Sequence, residues 1–229
     1  MTDVKKLQEK LNLSFNDLDL LNQAFTHRSY LNEVKLHLQS NERLEFLGDS
    51  VLSFIISSYL FKKRPDDEEG NLTNLRAYIV KTKSLAEAAQ QLNLGEYLKL
   101  SKGEEIGGGR ANPQLLANTF ESLIGAIFLD QGLLAVTKFI NEHLLPFYNK
   151  EIESGPPKDA KSSLQEMIQT SRKTSPHYKI LKTEGPDHAK KFTVGVFVGG
   201  EKLGQGYGSS KQEAEEHAAE EALKIISGG

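Results

Sequence analysis

The chain has 229 residues, no cysteine, no tryptophan, and a net charge of −3 from 28 basic and 31 acidic side chains. That length accommodates one or two domains with cores of their own, and the missing cysteines exclude a disulfide framework or a thiolate-ligated zinc and suit a reducing cytoplasm. Bulk attraction to a polyanion is excluded too: the residues from 156 onward carry a net +1 and those before them −4, so any nucleic acid must be gripped by local geometry rather than by an overall field.

Residues 1–10 lack the apolar stretch of a secretory signal. From there to residue 152 the pattern is helical almost throughout, with Gly and Pro confined to breaks such as Pro65 and Gly107 to Gly109. His27, in Thr26-His27-Arg28-Ser29-Tyr30, is expected to pack or to make a structural hydrogen bond. Residues 41–50 (Asn-Glu-Arg-Leu-Glu-Phe-Leu-Gly-Asp-Ser) predict a helix with Glu42, Glu45 and Asp49 on one face, at i, i+3 and i+7, and with Leu44, Phe46 and Leu47 between them. Carboxylates stacked on an apolar helix repel one another and are costly to desolvate, and a hard divalent cation relieves both penalties. A solvated acidic edge with Arg43 as partner is the plainer reading of this segment by itself.

The longest apolar run, Val51 to Phe61, is too short to span a bilayer, and no membrane is expected. Asp66-Asp67-Glu68-Glu69 reads as a solvated loop ahead of a helix. Gly107-Gly108-Gly109-Arg110 resembles a phosphate cradle only superficially, because no Lys-Ser/Thr follows and no strand precedes it; it is expected to be a flexible connection. Leu115 to Leu129 is apolar nearly all round, which predicts a central helix. Glu121 is its only ionisable residue, and Asn118 lies one turn earlier on the same face. Two helices that each turn carboxylates inward make a shared metal site the economical reading.

Gly155, Pro156 and Pro157 break the helical pattern, so a linker is expected at 153–158 between domains spanning 1–152 and 159–229. Beyond it the pattern predicts a helix over 160–170 with Leu164, Met167 and Ile168 inward, and strands at 178–183, 191–198 and 202–207. Phe192, Val194, Val196 and Val198 share one face of the second strand. A last helix over 210–226 stripes Ala214, Ala218, Ala222 and Ile225. Ser210 and Glu213 form a capping box at its start. Lys211 in the first turn opposes the helix macrodipole at a cost of roughly 0.3–1 kcal/mol, which makes sense where an anion docks on the same turn.

Residues 41–50 resemble the signature decapeptide of ribonuclease III, the double-strand-specific endoribonuclease family. The likeness extends to residues 26–30, to Asp67-Glu68-Glu69-Gly70, to the Glu121 helix and, in the α-β-β-β-α order of the last 70 or so residues, to a double-stranded-RNA-binding domain. The resemblance implies a mostly α endonuclease and dimerisation domain followed by a small α+β domain. It implies hydrolysis of duplex RNA to 5′-phosphate and 3′-hydroxyl ends, in processing of ribosomal and messenger RNA. Glu45, Asp49 and Glu121 would be catalytic, with Mg²⁺ (or Mn²⁺) held by Glu45, Asp49, Asn118 and Glu121. Glu42 and Glu69 would lie further along the cleft, and Phe46 would anchor a homodimer. RNA would be met by Gln165, Glu166, His188, Ser210, Lys211 and Gln212, across roughly 16 base pairs. Two positions depart from the family pattern. Gln212 stands where a basic residue is usual, and Asn118 stands where Asp is nearly invariable. Asn cannot be an anionic ligand, and a protein that binds duplex RNA without cleaving it is the alternative if that loss is decisive.

Overall fold

A computed structural model describes residues 4–34, 38–155, 160–172, 174–186 and 190–227. The chain divides into two compact units, residues 1–156 and 157–229.

The first unit is helical: α1 (Val4–Leu11), α2 (Leu18–Ala24), α3 (Arg28–Leu31), α4 (Glu42–Lys63), α5 (Glu69–Val80), α6 (Thr82–Gln91), α7 (Lys102–Ile106), α8 (Pro113–His143) and α9 (Asn149–Ser154). Two of these organise the rest. The second, α8, begins where Asn112 accepts hydrogen bonds from the N–H groups of Gln114 and Leu115, with Pro113 at the first helical position, where a missing N–H costs nothing. It kinks at Gly132, whose φ of 80° suits glycine. Leu44, Leu52, Ile56 and Leu60 of α4 pack with Leu116, Phe120, Leu123 and Ile127 of α8 in the middle of the core.

The crossing of α4 and α8 is unusually close because both helices carry glycine there. A Cβ on Gly48 would stand 1.8 Å from the carbonyl oxygen of Glu121, and one on Gly125 would stand 2.3 Å from that of Leu44. Backbone therefore touches backbone, and the side chains flanking the glycines are brought together. By length and composition alone α4 and α8 reach what a membrane crossing requires, since each helix extends well past the apolar run visible in the sequence. The packing of α8 on α4 and α6, and of α4 on α8 and α5, accounts for that hydrophobicity.

The glycine-rich connection before α8 is not a flexible link. Residues Gly109–Ala111 form a 3₁₀ turn, and Arg110 Nη1 donates to the carbonyls of Gly95, Glu96 and Leu98 at 3.0, 3.1 and 2.9 Å. Its Nε donates to Glu105 at 2.7 Å. One guanidinium thus gathers three carbonyls of the preceding turn, of which that of Gly95 also accepts the Leu98 N–H at 3.4 Å. At the other end of the unit α9 runs to Ser154, two residues into the segment expected as linker; residues 156–158 lie outside those described.

The second unit orders α10 (Ala160–Arg172), β1 (His177–Glu184), β2 (Lys191–Val198), β3 (Glu201–Gly208) and α11 (Lys211–Ser227). The strands form one antiparallel sheet in the order β1-β2-β3. Val194, Val196 and Val198 turn one face of β2 inward as expected, and Leu164, Ile168, Ala218 and Ala222 pack with that face. Met167 and Ile225, expected inward, are exposed instead. The inward stripe on α11 rotates onto alanine: a Cβ on Gly204 or Gly206 of β3 would fall within 2.6 or 2.2 Å of α11 backbone, so the helix lies too close to the sheet for larger side chains.

Candidate functional site

The glycine crossing determines what faces what. Glu45 and Asp49 flank Gly48 on α4, and Gly48 rests on the Glu121 peptide of α8. The two sets of carboxylates consequently open into one pocket of about 520 Å³ lined by His27, Arg28, Glu42, Glu45, Phe46, Asp49, Asn118 and Glu121. Among the acidic positions expected to act together, Glu69 is the one held elsewhere. It starts α5, accepts a hydrogen bond from Thr73 at 3.0 Å, and lines a different pocket with Phe61, Lys62 and Arg76.

The pocket stores repulsion. Burial pushes the Glu121 carboxyl from its ordinary 4.5 up to about 7, and the charges of Asp49 and Glu45 add to the effect. Glu45 is raised as well, first by burial and then by Glu42 and Asp49, against the downward pull of a hydrogen bond from Asn118. Asn118 Oδ1 accepts from Gln114 Nε2 at 2.7 Å, which leaves its amide N–H₂ for Glu45. Asn118, which the resemblance puts among the metal ligands, lines the pocket with Glu45, Asp49 and Glu121, its Oδ1 engaged by Gln114 and its side chain lowering the pKa of Glu45. At the mouth, Arg28 pairs with Glu42 at 3.3 Å, and Ser40 donates to the same carboxylate at 2.9 Å. The pocket's arginine therefore pairs with the outermost acid, while among the described residues the inner three form no ion pair with a cationic side chain.

The donor set suits a hard, hydrated cation. Every inner group is a carboxylate, and their mutual destabilisation is what a divalent ion relieves. Among the described residues no three His, Cys, Asp or Glu side chains are already drawn close enough to enclose an ion by themselves. A hydrated divalent ion needs no such enclosure, since it takes one or two carboxylates directly and reaches others through its waters.

Phe46 sits on the rim, 77% exposed, and continues along α4 into Phe54 and Phe61, also exposed. Steps of 8 and 15 residues place these rings within about 80° of one another around the helix. Leu133 of α8 lines a groove with Phe54, so the acidic pocket borders an apolar strip on the same two helices.

In the second unit Gln165 and Glu166 lie exposed on α10, and Ser210, Lys211 and Gln212 lie exposed at the start of α11. His188 falls outside the described residues. One arm of the expected capping box is present, with the Glu213 N–H donating to Ser210 Oγ at 3.1 Å. The other arm reaches one residue further back: the Glu213 carboxylate accepts from both the N–H and the hydroxyl of Ser209 at 2.6 Å, which holds it below the usual carboxylate range.

The lining residues missed from the sequence are His27 and Arg28. They reach the pocket because an isolated parallel bridge, Thr26 to Lys99, docks their segment beside α4 and α8. A single bridge between residues so far apart leaves no periodicity to read.

Comparison with known proteins agrees with this division of the chain. The family model described as ribonuclease-III-like matches residues 17–148, and the double-stranded RNA binding motif matches residues 160–226. Ribonuclease 3 of Roseiflexus sp. (strain RS-1) is 47% identical over 99% of this chain and 97% of its own. Ribonuclease 3 of Lactococcus lactis subsp. lactis is 47% identical over 96% of this chain and 95% of its own. A solved nuclease domain of ribonuclease III from Campylobacter jejuni, described by its region involved in dimer formation, is 38% identical with a TM-score of 0.60, covering 64% of this chain and 99% of that one.

Proposed function

The chain belongs to the ribonuclease III family, and from that premise we propose that it is a divalent-metal-dependent endoribonuclease that hydrolyses double-stranded RNA at the α4–α8 pocket. The observation that carries the reading is the convergence of Glu45, Asp49 and Glu121 in a pocket whose arginine is already bound to Glu42. Mg²⁺, with Mn²⁺ as a substitute, supplies an activated water and offsets charge on the phosphate when bound. Glu45, Asp49 and Glu121 hold it directly or through its waters. Glu121, whose carboxyl is raised to about 7 by burial and by Asp49 and Glu45, would be favoured in its charged form by a cation held there. Asn118 keeps Glu45 turned to the pocket, and Gly48 sets the distance between the helices. Glu42, tied to Arg28, and Glu69, on α5, serve the flanks of the RNA path.

The same reading assigns duplex recognition to the second unit. Gln165 and Glu166 meet 2′-hydroxyls in one minor groove, the His188 region enters the next, and Ser210, Lys211 and Gln212 meet the phosphates between them. Phe46, Phe54 and Phe61 form the contact of a homodimer, in which two pockets beside one interface cut opposite strands. The products carry 5′-phosphate and 3′-hydroxyl ends, as expected of an enzyme that processes ribosomal and messenger RNA in the cytoplasm.

The test is cleavage of a labelled RNA duplex with Mg²⁺ and with EDTA, followed by ligation of the products to a 3′-hydroxyl acceptor. The proposal expects cutting with Mg²⁺ alone and ligatable 5′-phosphate ends. Cutting in EDTA, or binding without cutting at any Mg²⁺ concentration, overturns it.

A further inference from the structure

We infer that His27 is a catalytic residue of this pocket, acting as a hydrogen-bond donor from Nε2 to an oxygen of the scissile phosphate; the inference rests on the reading of the pocket as the site of RNA cleavage. Three donors line the otherwise acidic wall: Arg28, Asn118 and His27. Arg28 pairs with Glu42, and the Asn118 side chain acts on Glu45, lowering its pKa. The backbone N–H of His27 donates to the carbonyl of Lys99 at 3.1 Å, and its ring caps α3, where Nδ1 accepts the Ser29 N–H at 3.3 Å and lies 2.8 Å from Ser29 Oγ. Ser29 Oγ in turn accepts from the Ser101 N–H at 3.0 Å.

That chain of bonds fixes the tautomer. A ring nitrogen that accepts from a backbone N–H carries no proton, so in the neutral ring the proton resides on Nε2. Among the described residues nothing pairs with Nε2. The ring is half-buried and is held at one edge by a cap and at its backbone by the bridge to Lys99. It is therefore a preorganised donor in a wall where a polyanion must approach three carboxylates. A phosphate oxygen is the acceptor that such a wall lacks, and the bond strengthens as charge gathers on that oxygen in the transition state. The proton stays on the ring throughout; no transfer is required.

The cap and the donor are separable by substitution. In His27→Asn the side-chain oxygen replaces Nδ1 as the cap acceptor, a role Asn fills well, but nothing reaches the Nε2 position. In His27→Gln an amide N–H₂ returns to about that position. Full-length protein is compared for melting temperature, duplex affinity in EDTA, and single-turnover cleavage in saturating Mg²⁺. His27→Asn is expected to melt and bind as the unsubstituted protein does while its cleavage rate falls roughly ten- to a hundredfold, the worth of one hydrogen bond to a charged group. His27→Gln is expected to recover part of that rate. Should His27→Asn melt well below the parent, His27→Ser, another capping residue without the distal donor, takes its place in the comparison. Cleavage by the capped variant within about threefold of the parent, a difference too small for a charged hydrogen bond, overturns the inference. So does a loss in affinity rather than rate, or a Gln variant as slow as the Asn one. Failure of the underlying reading shows separately, as an unsubstituted protein that does not cut.

Discussion

Glu121 carries the largest resolved perturbation in the pocket, and its sign determines two outcomes. Its folded-state carboxyl holds a proton up to about pH 7, against 4.5 ordinarily. The folded state therefore binds more protons than the unfolded chain across that window. The group's contribution to stability is most favourable below the unfolded value and is lost as pH climbs through about 7. Glu121→Gln removes the charge and nearly keeps the shape. The metal-free variant should melt a few degrees above the parent at pH 8, about 1–2 kcal/mol after allowing for remaining solvent screening, with the gap closing by pH 5. Cleavage should be lost while duplex affinity in EDTA is kept. Parallel scanning calorimetry at the two pH values and a single-turnover assay check this, and a gap that widens toward pH 5 sinks the assignment of repulsion. Asn118→Asp is the reverse experiment. It exchanges the donor that now holds Glu45 for another carboxylate, so the empty site should become less stable and its affinity for Mg²⁺ should rise, on the order of tenfold. An Mg²⁺ titration of cleavage decides the point, since an unchanged or higher requirement means that position 118 does not act on the ion. The three inner acids were legible in the sequence because carboxylates inside apolar helices are anomalous wherever they occur. The structural hydrogen bond expected of His27 is present as its cap on Ser29, but its place on the pocket wall and the closeness of Asn118 to Glu45 were not legible, because each depends on a segment that only the packed chain brings near.

Among the elements, α4 and α8 make the site through a single crossing, and that crossing depends on two missing side chains. Gly48→Ala would place a methyl 1.8 Å from the Glu121 carbonyl oxygen, where neither helix has a flexible side chain to yield. The helices must separate or rotate, at a cost typical of overpacking, about 1–3 kcal/mol or more. Activity should fall far more than stability, by at least a hundredfold, because a displacement near 1 Å already spoils the alignment of reacting groups. Melting temperature and cleavage rate measured on one preparation test the claim; a stable and fully active Gly48→Ala protein would mean that the crossing does not set the site. Helix positions followed from apolar periodicity, and so did the inward valines of β2. What periodicity missed were places where backbone approaches backbone. Arg110 locks a stretch that composition alone marks as loose, because its three carbonyl partners lie 12 to 15 residues back along the chain.

At the scale of the whole molecule, cutting and gripping fall on separate units, and their charges differ in kind. The first unit concentrates negative charge at the pocket, so its affinity for RNA depends on the cation it recruits and on the few donors around it. The second offers exposed polar and basic groups at the starts or faces of α10 and α11. Removing residues 156–229 should therefore leave a folded core, since among the described residues the central cluster of α4, α6 and α8 draws on none beyond Ile152. If Phe46, Phe54 and Phe61 form the dimer contact, that core should also remain a dimer, because all three belong to α4. Its affinity for duplex RNA should fall sharply, and the cleavage that persists should be confined to low salt, where phosphate attraction is less screened. Circular dichroism, light scattering coupled to gel filtration, and cleavage across a salt series measure the three claims independently. A monomeric core would move the interface off α4, and an unfolded one would move the domain boundary. Undiminished affinity would return the grip to the first unit, where a net −4 before residue 156 gives RNA no general reason to stay.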